Sequence, residues 1–86
     1  MERTETMNIV HAEYNKYHNT IDINYNNGYI LRIDCSKAEE NLITTPNSQR
    51  TLNVLSIDNP LEYAHLYLNS EIQDWVYAAD MEWYNT

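Results

Sequence analysis

Residues 20–35 of this chain read TIDINYNNGYILRIDC, and this stretch determines the fold class. Apolar and polar residues alternate on both sides of residues 26–28, which is typical of two half-buried strands joined by a tight turn. Gly28, the chain's only glycine, lies where a three-residue hairpin loop needs a left-handed backbone. A loop of this length predicts three pairs across the turn: Tyr25 with Tyr29, Ile23 with Leu31 and Ile21 with Ile33.

A third strand is predicted ahead of this hairpin, where the period of two begins at residue 8. A four-residue loop at 15–18 would pair Ala12 with Ile21 and, one pair further out, Val10 with Ile23. The first part of the chain is therefore predicted to be a three-stranded antiparallel meander.

Helical signals follow the last predicted strand. Ser36 and Glu39 have the spacing of a capping box, which predicts a short helix ending near Leu42. Residues 43–49 are interpreted as a loop, and residues 50–57 as one or two helical turns.

Two stronger helix starts come next. Asn59 is a typical N-cap and Pro60 fits the first helical position, so a helix is predicted from there to about Leu68. Ser70 is predicted to cap the last helix, in which Trp75 lies near the middle of the apolar arc and is the predicted costliest truncation. The predicted buried faces of the two helices are Leu61, Ala64 and Leu68, and then Ile72, Trp75, Val76, Ala79 and Trp83.

The whole pattern predicts an α+β fold, a three-stranded antiparallel β-meander covered on one face by two or three short α-helices. The predicted single domain spans residues 8–86, with the meander at 8–35 and the helical part at 36–86, after a flexible tail at 1–7. No apolar run approaches the roughly 20 residues that cross a bilayer. Together with a single cysteine, this predicts a protein of the reducing cytoplasm.

Charge is the strongest indication of function. Thirteen acidic against five basic residues give a net charge of −8, which repels phosphate backbones and anionic membranes. No direct nucleic-acid or membrane binding is therefore expected, and a basic protein surface is the expected partner. Arg50 is the last basic residue, so the acids of the C-terminal part have no basic neighbour in the sequence.

Some of these acids are placed where they do not help the helix that carries them. Asp80 and Glu82 fall in the last turns of the last predicted helix, where the helix dipole disfavours an acid by about 0.3–1 kcal/mol. Carboxylates interleaved with tyrosines suit a groove lined by Arg and Lys, although core packing with solvated acids is the alternative. The predicted partner-binding residues are Glu62, Glu71, Asp74, Tyr77, Asp80, Glu82 and Tyr84.

The sequence lacks the common motifs of catalysis and metal binding. The chain has no CxxC, HxxxH or HExxH motif and no glycine-rich phosphate loop, so no enzyme and no cofactor are expected. Cys35 continues the apolar face of its strand, which favours a buried thiol. The alternative left open is a zinc site formed by His18, Asp34 and Cys35, which the strand pairing brings close together.

Three segments carry a resemblance to a protein family: IVHAEYN, NTIDINYNNGYILRIDC and DNPLEYAHLYLN. The chain resembles a family of small uncharacterised bacterial and mobile-element proteins that share an AEY strand, an NG hairpin, an IDC strand end and a PLEYA helix. This resemblance implies the fold and no activity.

In size, acidity and lack of catalytic motifs, the chain also resembles anti-CRISPR proteins. That resemblance implies a non-catalytic inhibitor in a bacterial host cell, which binds a basic surface of a type II CRISPR effector nuclease and blocks nucleic-acid loading. The alternative is a small accessory or antitoxin-like protein of a mobile element, acting by association with itself or a partner through its sheet. The expected state is a monomer or a weak homodimer.

Overall fold

The computed structural model describes the backbone of residues 8–84 and the side chains of residues 8–81; the predicted tail at 1–7 lies outside it. The strands form one antiparallel sheet in the order β1-β2-β3, and four helices follow, which confirms the α+β class. The elements are β1 (Ile9–Asn15), β2 (Thr20–Tyr25), β3 (Ile30–Asp34), α1 (Cys35–Glu39), α2 (Pro46–Asp58), α3 (Pro60–Leu68) and α4 (Ile72–Tyr84).

One core joins the sheet to the helices. It is built from side chains of every element except β1, which contributes half-buried residues at its margin. The core residues are Ile21, Ile23, Ile33, Cys35, Leu52, Tyr63, Ala64, Leu66, Ile72 and Val76.

The β2–β3 hairpin has the predicted register. Ile23 lies opposite Leu31, and the turn closes with a hydrogen bond of 3.0 Å from the Gly28 N–H to the Tyr25 carbonyl. Gly28 has a φ of +88°, a conformation that costs a residue with a Cβ about 1–2 kcal/mol. The residues of the turn itself therefore determine the β2–β3 register.

The predicted register of β1 against β2 is wrong by two residues. Ala12 lies opposite Ile23, and Tyr14 lies opposite Ile21. The loop has four residues, as predicted, but these are residues 16–19, because Asn15 still pairs with Thr20. A shift of two residues keeps the apolar side chains on the same face, so hydrophobic alternation alone does not distinguish the two registers.

A bulge at the start of β1 changes which residue reaches the core. The pairing shifts between Ile9 and His11, so Val10 is the extra residue and its side chain is exposed. Ile9 lies opposite Tyr25 and packs against the core, whereas the place predicted for Val10, opposite Ile23, is taken by Ala12.

Helix α1 begins one residue before the predicted capping box. The Asp34 carboxylate accepts a hydrogen bond of 3.3 Å from the Lys37 backbone N–H, which makes Asp34 the N-cap. Ser36 therefore lies inside the first turn.

The helical turns predicted at 50–57 belong to the longer helix α2, whose first turn lies inside the predicted loop at 43–49. Thr45 is the N-cap, and Pro46 occupies the first helical position. The Thr45 hydroxyl accepts from the Ser48 N–H at 3.1 Å, while the Ser48 hydroxyl accepts from the Thr45 N–H at 2.9 Å. This is a capping box in which serine takes the usual place of glutamate or glutamine.

Helix α3 starts and ends as predicted, but its buried face was not predicted correctly. The Asn59 side chain caps it by accepting from the Glu62 N–H at 3.3 Å. Leu61 and Leu68 are exposed, and the buried residues are Tyr63, Ala64 and Leu66. Because α3 contacts the sheet, α2 and α4, its buried arc is set by three neighbours.

Helix α4 buries Ile72 and Val76, whereas Trp75 is only half-buried. The Gln73 side-chain amide makes two hydrogen bonds of 2.9 Å with the backbone of Ile43, one as donor and one as acceptor. These bonds fasten the segment before α2 to α4. The Trp83 side chain lies outside the described part of the structure.

Candidate protein-binding surface

The predicted partner-binding residues that the structure describes lie mainly on the outside of α3 and α4. Glu62 is exposed in the first turn of α3, and Glu71 is exposed where the chain enters α4. Asp74 and Tyr77, one turn apart on α4, are exposed as well. These four residues are called the acidic helical surface below.

The charge of this surface is not neutralised by the described residues. The ion pairs among residues 8–81 lie on the sheet, where Arg32 bonds Asp22 at 2.7 Å and His11 lies 3.8 Å from Glu13. Since no Lys or Arg follows residue 50, the negative potential at α3 and α4 follows from the sequence and is retained in the fold.

Asp80 has a structural contact that the sequence did not reveal. Its carboxylate accepts a hydrogen bond of 2.7 Å from the hydroxyl of Thr45, the N-cap of α2. Because the hydroxyl proton points to Asp80, the oxygen lone pairs are left for the Ser48 N–H. The unfavourable position of Asp80 on its own helix is thus explained by a contact with another helix.

Asp80→Ala is expected to lower the free energy of unfolding by about 1 kcal/mol, since one partly exposed hydrogen bond is lost. Thr45→Ala is expected to cost about 0.5–2 kcal/mol through the lost cap. Because the two side chains act together, the double variant should lose less than the sum. Urea melts of the three variants measure this, and strict additivity would mean that the contact contributes nothing.

Two further predicted residues, Glu82 and Tyr84, have side chains outside the described part of the structure. Sequence reasoning missed two residues that the structure places beside Tyr77, namely Ala78 and Met81, both exposed. Their spacing from Asp74, at i+4 and i+7, marks them as one helix face. Met81 gives this face an adaptable apolar contact.

The predicted zinc ligands are not assembled into a site. His18 is exposed in the turn after β1, and the Asp34 carboxylate caps α1. Within the described residues, no group of three or more His, Cys, Asp or Glu side chains is arranged to hold a metal ion.

Cys35 is buried, and burial raises the pKa of its thiol to about 11. The thiol is therefore protonated at neutral pH, and a protonated thiol is a poor nucleophile. Tyr63 lies beside it, fully buried, with its hydroxyl donating to Glu39 at 2.5 Å. Burial and then this bond raise the pKa of Tyr63, so its hydroxyl stays protonated and donates the bond at neutral pH.

Cys35→Val is expected to be more stable than Cys35→Ser, because the thiol packs among apolar core residues. The pKa of the Cys35 thiol is about 11 in the folded protein, above the ordinary value of 9.0. The stabilisation that the buried, protonated thiol contributes is therefore present below pH 9 and is lost as the pH rises to 11. Thermal melts should show a smaller alkaline loss for Cys35→Val than for the wild type. A melting temperature lowered by a chelator would instead indicate bound zinc.

The comparisons with known proteins add a family and no activity. Among residues 8–84, no helix combines the length and apolar character needed to cross a membrane. No curated protein and no solved structure matches the chain significantly. One family model matches residues 6–84, nearly the whole chain, and it is described as a family of unknown function. The chain therefore belongs to this family, DUF6061.

Proposed function

We propose that the protein is a non-catalytic inhibitor that binds a basic protein surface through its acidic helical surface. The observation that carries the proposal is the exposure of Glu71, just before α4, and of Asp74 and Tyr77 on α4, in a part of the chain without Lys or Arg. Carboxylates there attract a basic partner over long range and fix its orientation. Tyr77, with Met81 one turn further on, supplies apolar contact area of the kind that dominates binding energy.

The specific form of the proposal is anti-CRISPR inhibition of a type II effector nuclease. A nuclease channel that holds nucleic acid is lined by Lys and Arg, and an acidic protein of 86 residues competes there with phosphate groups. The support for this form is the resemblance in size, acidity and lack of catalytic motifs. Occupying the channel blocks nucleic-acid loading without any chemistry.

The test is binding of the full chain to purified effector nucleases at low and at high salt. We expect a complex at low salt that weakens as salt rises, because exposed charges are screened within about 8 Å at physiological ionic strength. The expected complex excludes DNA from the nuclease. Absence of a complex with every effector at low salt would overturn the anti-CRISPR form.

Two charge-reversal variants test whether the partner binds at the acidic helical surface. Asp74→Lys is expected to weaken the complex about tenfold or more, a change of about 1.4 kcal/mol. Glu40→Lys is the matched control, since Glu40 is an equally acidic exposed residue at the end of α1 and the net charge changes by the same amount. Equal weakening by both variants would contradict the assignment to α4 and leave only net charge as the cause. Circular dichroism checks that both variants fold.

A further inference from the structure

A second surface, independent of the acidic one, lies along the outer edge of the sheet. A groove of about 750 Å³ is bounded on one side by residues 12–15 of β1 and the turn that follows. Its opposite wall is formed by Ile57 at the end of α2 and Pro60 at the start of α3. The groove therefore runs beside β1, which within residues 8–84 pairs with a strand on one side only.

The backbone of β1 has unused hydrogen-bonding groups facing away from β2. At one end of the β2–β3 ladder the Tyr25 N–H donates to the Tyr29 carbonyl, and at the other end the Cys35 N–H donates to the Asn19 carbonyl. The odd-numbered residues of β2 therefore direct their backbone N–H and C=O groups to β3. The even-numbered residues of β2 direct their N–H and C=O groups to β1, where Asp22 lies opposite Glu13. By the alternation of an antiparallel ladder, the residues on either side of Glu13 direct their N–H and C=O groups outward.

Those two residues are Ala12 and Tyr14, and both line the groove. Their side chains pack against the core, on the same side of the sheet as the helices. No other backbone group among the described residues bonds them outside the sheet. An open edge beside an apolar wall is the geometry that accepts an added strand.

We propose that this groove receives an extended segment of a partner protein, which adds to β1 as a fourth strand and runs antiparallel to it. The segment residues opposite Ala12 and Tyr14 face the wall formed by Ile57 and Pro60 and are apolar. Side chains alternate along a strand, so the residue between them lies on the outer face beside Glu13.

The charges of the groove select a basic residue for that middle position. Asp22 is already held by two hydrogen bonds from Arg32, at 2.7 and 3.3 Å. Glu13 is exposed, and among the described residues His11, at 3.8 Å, is the one possible cation within ion-pair distance of it. Lys16 lies at the turn end of the groove, with its ammonium nitrogen 5.5 Å from the centre of the Tyr17 ring. The partner segment is therefore apolar–basic–apolar in pattern.

The probe is an end-capped peptide, Ser-Val-Lys-Val-Lys-Val-Ser, titrated into the isotope-labelled full chain and followed by NMR. The amides of Ala12 and Tyr14 are expected to shift most and to become protected from hydrogen exchange. N-methylation of the valine amides, which face β1, is expected to abolish binding. N-methylation of the lysine amides, which face away, is expected to leave it intact, and equal binding of both methylated peptides would overturn the proposal.

A matched pair of variants tests the wall. Ile57→Ser is expected to weaken peptide binding about tenfold, because one apolar contact is lost. Val54→Ser is the control, since Val54 is on the same helix and similarly exposed (49% against 55% for Ile57) but does not line the groove. Equal effects of the two would overturn the wall assignment. Protection of Ala12 and Tyr14 without peptide, growing with protein concentration, would show a second copy in the groove and would also overturn the proposal.

Discussion

Tyr63→Ala is expected to unfold the protein at room temperature, or to leave it barely stable. Tyr63 is the largest fully buried side chain, with 0% of its surface exposed. Truncating a buried aromatic residue to alanine costs about 3–5 kcal/mol, against a total stability of about 5–15 kcal/mol for a domain. A domain of 86 residues has a small core, so its stability is expected near the low end of that range.

The hydroxyl of Tyr63 makes a hydrogen bond that Tyr63→Ala also removes, and this adds to the loss of stability. It donates to one oxygen of Glu39, and the other oxygen accepts from the Gln49 side chain at 2.8 Å. Glu39 therefore links α1 to α2 and α3. Tyr63→Phe keeps the ring and removes only this bond, so it is expected to cost about 1 kcal/mol.

Urea melts of Tyr63→Ala, Tyr63→Phe and Trp75→Ala test this assignment. Trp75, predicted from the sequence to be the costliest truncation, is half-buried and is expected to lose less than Tyr63. A Tyr63→Ala variant with a near-wild-type midpoint would mean that the side chain is not in the core. A loss for Tyr63→Phe as large as that for alanine would assign the effect to the hydroxyl alone.

Leu52→Ala is expected to lower the free energy of unfolding by about 2–5 kcal/mol. Leu52 is fully buried in the middle of α2, the helix that packs against both α3 and α4. Truncating its side chain leaves a cavity in the core, and the ends of α2 are held in place, which limits how far the core can close around it. Those ends are held by the Thr45 cap and by the short connection at Asn59.

Val54→Ala is the matched control for Leu52→Ala. Val54 is two residues away on the same helix and is 49% exposed, so its truncation is expected to change stability by about 0.5 kcal/mol or less. Chemical denaturation of both variants gives the comparison. Equal losses at the two positions would show that α2 is rotated from the orientation described.

Local patterns in the sequence were sufficient for the order of the three strands, for the β2–β3 register and for the positions of α3 and α4. The β2–β3 register follows from a turn with its single glycine at a positive φ, and α3 follows from Asn59 and Pro60. These features depend on neighbours within a few residues, so no tertiary contact is needed to predict them. The negative charge of the C-terminal part is likewise a property of the sequence alone.

Tertiary contacts decided the rest. The side of α3 that is buried depends on the sheet and two helices at once, and it places in the core Tyr63, which was not part of the predicted buried face. The start of α2 was missed because its capping box uses Ser48, and a polar run with a proline also fits a loop. Asp80 appeared to have no role in its own helix, but its partner is Thr45, 35 residues away. Periodicity in the sequence relates a residue only to its neighbours along the chain. These roles depend on groups from other elements, which only folding brings together.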